Sequence, residues 1–393
     1  MLANRERFLS AQRLFVNTCM KKINLGVVFG GKSSEHEVSI VTALQTVKWI
    51  DKEKYNPVLI YIDRQNQPFL CPFPKKENYS LFIKKVLSNN QKITFINKGI
   101  VAKKLFPQKI SLDCYLLALH GAYGEDGKLQ GLLDFYGIPY TGSGVLGSAL
   151  GIDKVMMKKV FESMKLNLIP YEWFTTEEYH DNQNKIITVI ENKLRYPFFV
   201  KPSRAGSSIG ISKVKSKNEL KKAVEKAMQF DNKILIEQAV SDAVDINCAV
   251  MGGEKPITSV CEQPLIDGQF LTFEEKYLKG GKNKGMAGLC RIVPAPIPDK
   301  IAKEIQETTR KIFRELNCWG CARMDFLFQK KTGKVFVNEI NTIPGSLSYY
   351  LWEASGIKPA QLINRLVELA LEREKEIESL NYTFKSKILG TQK

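Results

Sequence analysis

Apolar residues recur along this chain with two periods, and the switches between them outline its elements. Asn24-Leu-Gly-Val-Val-Phe29 is a short, continuous, β-branched run, which predicts a buried strand. Gly30 and Gly31 end it. From about Glu37 the spacing lengthens, so that Val38, Val41, Leu44, Val47 and Ile50 fall on one helical face. Residues 57–62 and 114–119 read as two further strands. Strand–helix alternation of this kind predicts a parallel, doubly wound unit over residues 23–142. Within it, residues 65–111 are polar, lysine-rich and dotted with proline, and read as a peripheral insertion. A second α/β unit is expected over 143–238. It holds a helix at 153–165, a strand at 196–201, a small-residue loop, a helix at 219–228 and a strand at 233–237. The third unit, 239–393, closes with a helix whose apolar positions include Leu362, Leu366 and Leu369.

The densest chemistry lies in that third unit. Arg323-Met-Asp325-Phe-Leu-Phe and Val335-Phe-Val-Asn338-Glu339-Ile-Asn341 flank Lys331-Thr-Gly-Lys, which reads as a hairpin. Side chains at i and i+2 of a strand share a face, so Arg323 points with Asp325, and Glu339 with Asn341. Three oxygen-bearing side chains thereby approach one guanidinium. Hard oxygen donors of that kind suit Mg²⁺, which prefers a few carboxylates together with nucleotide phosphates. The alternative is a surface hairpin with solvated charges.

Composition narrows the class. At 393 residues the chain exceeds the size of one growing core, so two or three domains are expected. Hydrophobic content of 44% and charged content of 25% exclude a disordered or fibrous chain. No apolar run reaches membrane-spanning length, so no membrane partner is expected. The net charge of +17 raises nucleic acid as a partner, but the lysines are dispersed and form no arginine-rich arm. A lysine-rich surface around an anionic nucleotide site accounts for them, and no nucleic acid is expected. Residues 1–22 read as a disordered extension: Arg5, Arg7 and Arg13 give it a transit-peptide look that Glu6 argues against.

Two motifs are rejected. Gly26-Val-Val-Phe-Gly-Gly31-Lys32-Ser33 matches the phosphate-binding P-loop letter for letter, yet its middle residues look like the strand itself. Cys318-Trp-Gly-Cys321 stands without a second such pair, so the eight cysteines read mainly as small core residues.

Several further motifs fall in a telling order. They are Gly30-Gly-Lys-Ser-Ser-Glu35, His120-Gly-Ala-Tyr-Gly124-Glu125-Asp126-Gly127, Asp153-Lys154, Val200-Lys201-Pro with Gly206-Ser207-Ser208-Ile-Gly210, and Glu274-Glu-Lys276-Tyr277. With the hairpin and Asn341-Thr-Ile-Pro344-Gly345, the chain resembles the D-alanine–D-alanine ligases of the ATP-grasp superfamily from about Ile23 to Leu371. The resemblance implies three α/β domains with ATP gripped between the central and C-terminal ones. It implies that Lys154, Lys201 and Lys276 hold phosphates under a flap formed by Gly206, Ser208 and Gly210. Adenine would lie against Glu237, Gln238 and Val240, with Asp245 on the ribose; Asp325, Glu339 and Asn341 would bind two Mg²⁺ or Mn²⁺ ions. Glu35, linked through Ser207 to Tyr277, would take the first substrate's ammonium, with Val38 and His120 beside that substrate. Arg323 and the Gly345 amide would stabilise the oxyanion. The pair Lys276-Tyr277 implies D-alanine as second substrate. Tyr350 stands where the family has a carboxylate-gripping serine, so Ser348 or the Tyr350 hydroxyl would take that part. A cytoplasmic homodimer serving peptidoglycan synthesis is implied as well.

Overall fold

The computed structural model describes residues 21–74, 79–103, 106–265, 290–384, 386 and 388. The expected N-terminal extension therefore lies almost wholly outside the described residues, as do Lys276 and Tyr277. The first unit runs β1 (Ile23–Gly30), α1 (His36–Trp49), β2 (Tyr55–Ile62), β3 (Pro68–Cys71), α2 (Tyr79–Asn89), β4 (Ile93–Ile96), β5 (Gly99–Ala102), β6 (Gln108–Ser111), β7 (Cys114–Leu117) and α3 (Lys128–Phe135). Its main sheet has the order β3-β2-β1-β7, with β1 parallel to both β2 and β7. β1 covers the whole stretch before Gly31, so the P-loop letters lie in a strand and cannot wrap a phosphate. Gly30 has φ of +95°, and a Cβ there would lie 2.1 Å from the Ile62 carbonyl oxygen, so only glycine turns the chain out of this strand.

Residues 65–111 are not a peripheral polar insertion. β3 extends the main sheet along its antiparallel edge, and β4-β5-β6 form a small sheet of their own. Phe82, Val86, Ile93, Phe95, Ile100 and Ala102 enter the first hydrophobic core. Exposed lysines on the helix and in the turns, among them Lys84, Lys85, Lys92 and Lys98, give the stretch its polar composition and mask these short elements.

The second unit begins with α4 (Val145–Ile152), a helix not anticipated from the pattern, and α5 (Lys154–Ser163). Asp153 caps α5: its Oδ1 accepts from the Val155 and Met156 amides at 3.1 Å each. β8 (Tyr171–Thr175), β9 (Phe198–Pro202), β10 (Ser212–Val214), α6 (Lys217–Met228) and β11 (Lys233–Gln238) follow. The four strands form an antiparallel sheet of order β10-β9-β11-β8.

The third unit is a five-stranded sheet of order β14-β13-β12-β15-β16. Its strands are β12 (Ala243–Gly252), β13 (Ile257–Pro264), β14 (Arg291–Ile292), β15 (Gly320–Gln329) and β16 (Lys334–Asn341). α7 (Asp299–Glu315) covers one face. A tight turn over Gly345–Ser348 leads to α8 (Tyr349–Ala354) and α9 (Pro359–Glu378). Leu362, Leu366 and Leu369 share the first core with β1 and β7, so α9 packs on the N-terminal sheet, while α8 packs on β12 and β13. Among the described residues, no helix is long and apolar enough to cross a membrane.

Candidate active site

A cavity of about 270 Å³ opens where the three units meet. The first unit contributes Glu35, His120 and Glu125 to its walls, and the second Lys154, Lys201, Gly206, Ser207 and Ser208. Glu237, Gln238, Val240, Asp245, Arg323, Asp325, Glu339, Asn341 and Gly345 complete the sequence-predicted residues that line it. Val38, Gly210, Ser348 and Tyr350 do not. Val38 is buried within α1, and Ser348 is fully buried.

The β15–β16 hairpin forms one wall as the alternation requires. Arg323 faces Asn341 and Asp325 faces Glu339 across the ladder, with a bulge directly after Asp325. The guanidinium grips Asp325 bidentately, Nε to Oδ1 at 2.6 Å and Nη2 to Oδ2 at 2.7 Å. Asn341 Nδ2 donates to Asp325 Oδ2 at 3.1 Å, and Glu339 pairs with Lys154 Nζ at 3.3 Å. Burial opposes the Arg323 charge, but Asp325 outweighs it and keeps the group cationic. Among the described residues no three His, Cys, Asp or Glu side chains gather into a metal cluster. Two carboxylates and a carboxamide remain a hard-oxygen set, suited to a divalent cation that also takes phosphate oxygens. Cys318 and Cys321 are buried free thiols.

Another part of the wall is built on the start of α1. Glu35 occupies its N-cap position and is hydrogen-bonded by the Ser207 hydroxyl. Ser207 and Ser208 both have positive φ, and a Cβ on Gly206 would lie 2.2 Å from Glu35 Oε2. The small-residue loop can therefore rest on this carboxylate only with glycine at 206. Lys154 Nζ donates to the Ala205 carbonyl at 2.9 Å, fastening the same loop.

His120 is held at both ring nitrogens. Nδ1 donates to the Ile343 carbonyl at 2.8 Å, and Nε2 then accepts from the Thr42 hydroxyl at 2.7 Å. Thr42 Oγ1 in turn accepts the Ser346 amide at 3.1 Å. Burial lowers the His120 pKa to about 4, so the ring is neutral. Glu125 beside it accepts the Gly121 and Ile343 amides at 2.7 and 2.8 Å. Burial first, and the neighbouring Glu35 second, push its pKa up to about 8.

Glu237, on β11, sits between two lysines. Lys158 approaches its Oε1 at 2.5 Å, and Lys201 pairs with Oε2. Burial would raise the Glu237 pKa; the lysines more than offset this and hold it at about 2. Behind Arg323, the buried Glu262 accepts from Asn247 at 3.0 Å, Arg291 at 3.0 Å and the Tyr350 hydroxyl at 3.2 Å. The Arg291 guanidinium also covers the Tyr350 ring, 3.6 Å from its centroid.

Family models agree with this architecture along most of the chain. The D-ala D-ala ligase N-terminus matches residues 24–143 and the D-ala D-ala ligase C-terminus residues 160–368. The chain belongs to the D-alanine–D-alanine ligase family. A D-alanine–D-alanine ligase of Chloroherpeton thalassium is 38% identical over 368 residues, spanning 91% of this chain and 98% of its own. The solved D-alanine–D-alanine ligase of Coxiella burnetii superposes with a TM-score of 0.77 at 27% identity, covering 91% of this chain and 97% of its own. The VanG D-Ala:D-Ser ligase of Enterococcus faecalis superposes at 0.75 with 28% identity, over 89% and 100% respectively. The ligase is thus an α/β ATP-grasp protein. Glu125, Lys158 and Glu262 escaped the sequence reading. Glu125 stood inside a quoted motif, whereas a lone lysine one helical turn after Lys154 carries no signal of its own.

Proposed function

We propose that this chain ligates two D-alanines to D-alanyl-D-alanine through an acyl phosphate, driven by ATP, for peptidoglycan precursor synthesis. The observation that carries the reading is one cavity that brings Glu35, His120, Arg323 and Gly345 together with Lys154, Lys201, Gln238 and Asp245. The first group suits an amino acid and its reacting carboxyl; the second suits a nucleotide and its phosphates.

In this reading Glu35 receives the ammonium of the first D-alanine, with Ser207 fixing the carboxylate from the loop side. Neutral His120 spends its one N–H on the Ile343 carbonyl, so it shapes the wall beside the first substrate and gives the carboxylate neither a charge nor a donor. Lys154 and Lys201 offset charge on the ATP phosphates while the terminal phosphoryl passes to that carboxylate. Asp325, Glu339 and Asn341 would hold the Mg²⁺ or Mn²⁺ ions, which when bound offset further phosphate charge. The amine of the second D-alanine attacks the acyl phosphate carbonyl. Arg323 and the Gly345 amide stabilise the developing oxyanion, a single such donor contributing about 3 kcal/mol. Collapse expels inorganic phosphate, and the amine loses its proton to leave the dipeptide. Lys276 would add to the charge offset on the phosphates and Tyr277 to the Glu35–Ser207 link, and the working enzyme would be a cytoplasmic homodimer.

A second reading replaces the acceptor with D-serine. It rests on Tyr350, whose hydroxyl is already engaged by Glu262, and on the likeness to a D-Ala:D-Ser ligase. A coupled assay of ADP release separates the two, using Mg-ATP with D-alanine alone and then with D-serine or D-lactate added, and product mass as readout. D-alanine turnover to the dipeptide supports the first reading. Turnover only with a second acceptor moves the substrate, and no ADP release with any of them overturns the ligase mechanism.

A further inference from the structure

Among the described residues, Lys158 is the most deeply buried cation near the cavity, and it has no part in the chemistry above. Its side chain is 1% exposed, and among the described residues its charge meets one carboxylate, Glu237, and the Tyr171 ring at 5.3 Å. Glu237 is nearly as buried, with a side chain 2% exposed, but unlike Lys158 it lines the cavity. Lys201 differs. It lines the cavity, its side chain is 13% exposed, and it takes the other Glu237 oxygen. The two lysines reach Glu237 from different elements. Lys158 lies one turn beyond Lys154 on α5, while Lys201 is a diagonal neighbour of Glu237 across the β9–β11 ladder.

This geometry poses a physical problem for any anion that recruits Lys201. A buried carboxylate that loses its only counter-charge is strongly destabilised, so a lone Lys201–Glu237 pair would hold the lysine back. A second, permanently buried lysine removes that penalty.

We propose that Lys158 is a positioning residue for phosphate binding: it keeps Glu237 compensated so that Lys201 is free to turn from Glu237 to a nucleotide phosphate. The proposal rests on the ATP reading above. It predicts a specific pattern, because adenosine has no phosphate and makes no demand on Lys201.

The test is calorimetric titration of the full chain with the β,γ-imido analogue of ATP, in the presence of Mg²⁺, and separately with adenosine. Lys158→Met should weaken the analogue about tenfold while adenosine changes by less than about twofold. Adding Glu237→Gln to that variant removes the carboxylate that detains Lys201. The ratio of analogue to adenosine affinity should then return to within about twofold of the starting protein. Equal weakening of both ligands in Lys158→Met would reduce Lys158 to a packing role and overturn the proposal. So would an unchanged ratio, or a double variant that fails to restore it. If the unsubstituted chain binds adenosine but not the analogue any more tightly, the phosphate reading itself falls, and the proposal with it.

Discussion

At the scale of single residues, the site is a set of charges whose protonation the fold decides. Arg323 is the clearest case, since its fork is already occupied by Asp325 at 2.6 and 2.7 Å and so held in one orientation. Lysine cannot reproduce two aligned donors. Arg323→Lys should lower kcat by about a hundredfold, on the scale of an oxyanion donor, with little change in the affinity for the ATP analogue. Steady-state kinetics alongside calorimetry would check this, and an unchanged kcat would remove Arg323 from the reacting centre. His120 gives a pH prediction. Burial lowers its pKa from 6.5 to about 4, so the folded state favours the neutral ring. Its contribution to stability is whole above about pH 6.5 and is lost progressively as pH falls toward 4. The unfolding midpoint in urea should therefore drop between pH 7 and pH 5 more steeply for the native chain than for His120→Asn. Equal slopes would show that the ring titrates normally. Arg323, Asp325, Glu339 and Asn341 were legible in the sequence because a two-residue period fixes which side chains share a face. Glu125 and Lys158 were not, because burial and counter-charges come from segments far away in the chain.

At the scale of elements, the turn after β16 is the least ordinary piece of backbone. Ser346, Leu347 and Ser348 have φ of 53°, 54° and 50°, three successive left-handed residues with none of them glycine. Each such residue costs about 1 kcal/mol relative to an ordinary helical conformation. Packing and polar contacts offset this: Leu347 is buried in the core, Ser346 Oγ donates to Gln45 Oε1 at 2.7 Å, and the Ser346 amide reaches Thr42. Ser348 has no such compensation, for its hydroxyl is buried and makes no hydrogen bond among the described residues. Ser348→Gly should therefore stabilise the enzyme by about 1 kcal/mol in denaturant unfolding. A loss of stability instead would mean that the hydroxyl has a partner in the folded enzyme. None of this turn was readable beforehand, since Gly345-Ser-Leu-Ser carries no signature of repeated positive φ. Residues 65–111 failed for a different reason: their apolar positions are correctly spaced for short strands and one helix, but nine lysines and four prolines give the stretch a polar, loop-like composition. Composition described the exposed positions and spacing the buried ones.

At the scale of the molecule, the three units are distinct as sheets but not as cores. Each of the three main sheets draws on one stretch of chain, within residues 23–117, 171–238 and 243–341. The cores do not, because α9 belongs by sequence to the third unit and packs against β7 and α1 of the first. Amphipathic periodicity reveals that a helix has an apolar face, but not which distant sheet will cover it. The arrangement matters for the site. Glu35 and His120 stand on the first unit while Arg323 and Gly345 stand on the third, and their spacing depends on the two moving as one body. Leu366, 2% exposed within the shared core, tests that coupling. Leu366→Ala should cost about 2–5 kcal/mol, the usual range for a buried leucine. If the first and third units form one cooperative body, hydrogen exchange at the amides of β1 and of β15 should accelerate together by the same factor. Faster exchange in β1 alone would mean that the N-terminal sheet opens separately. The two halves of the cavity would then be held in register by ligand rather than by the fold.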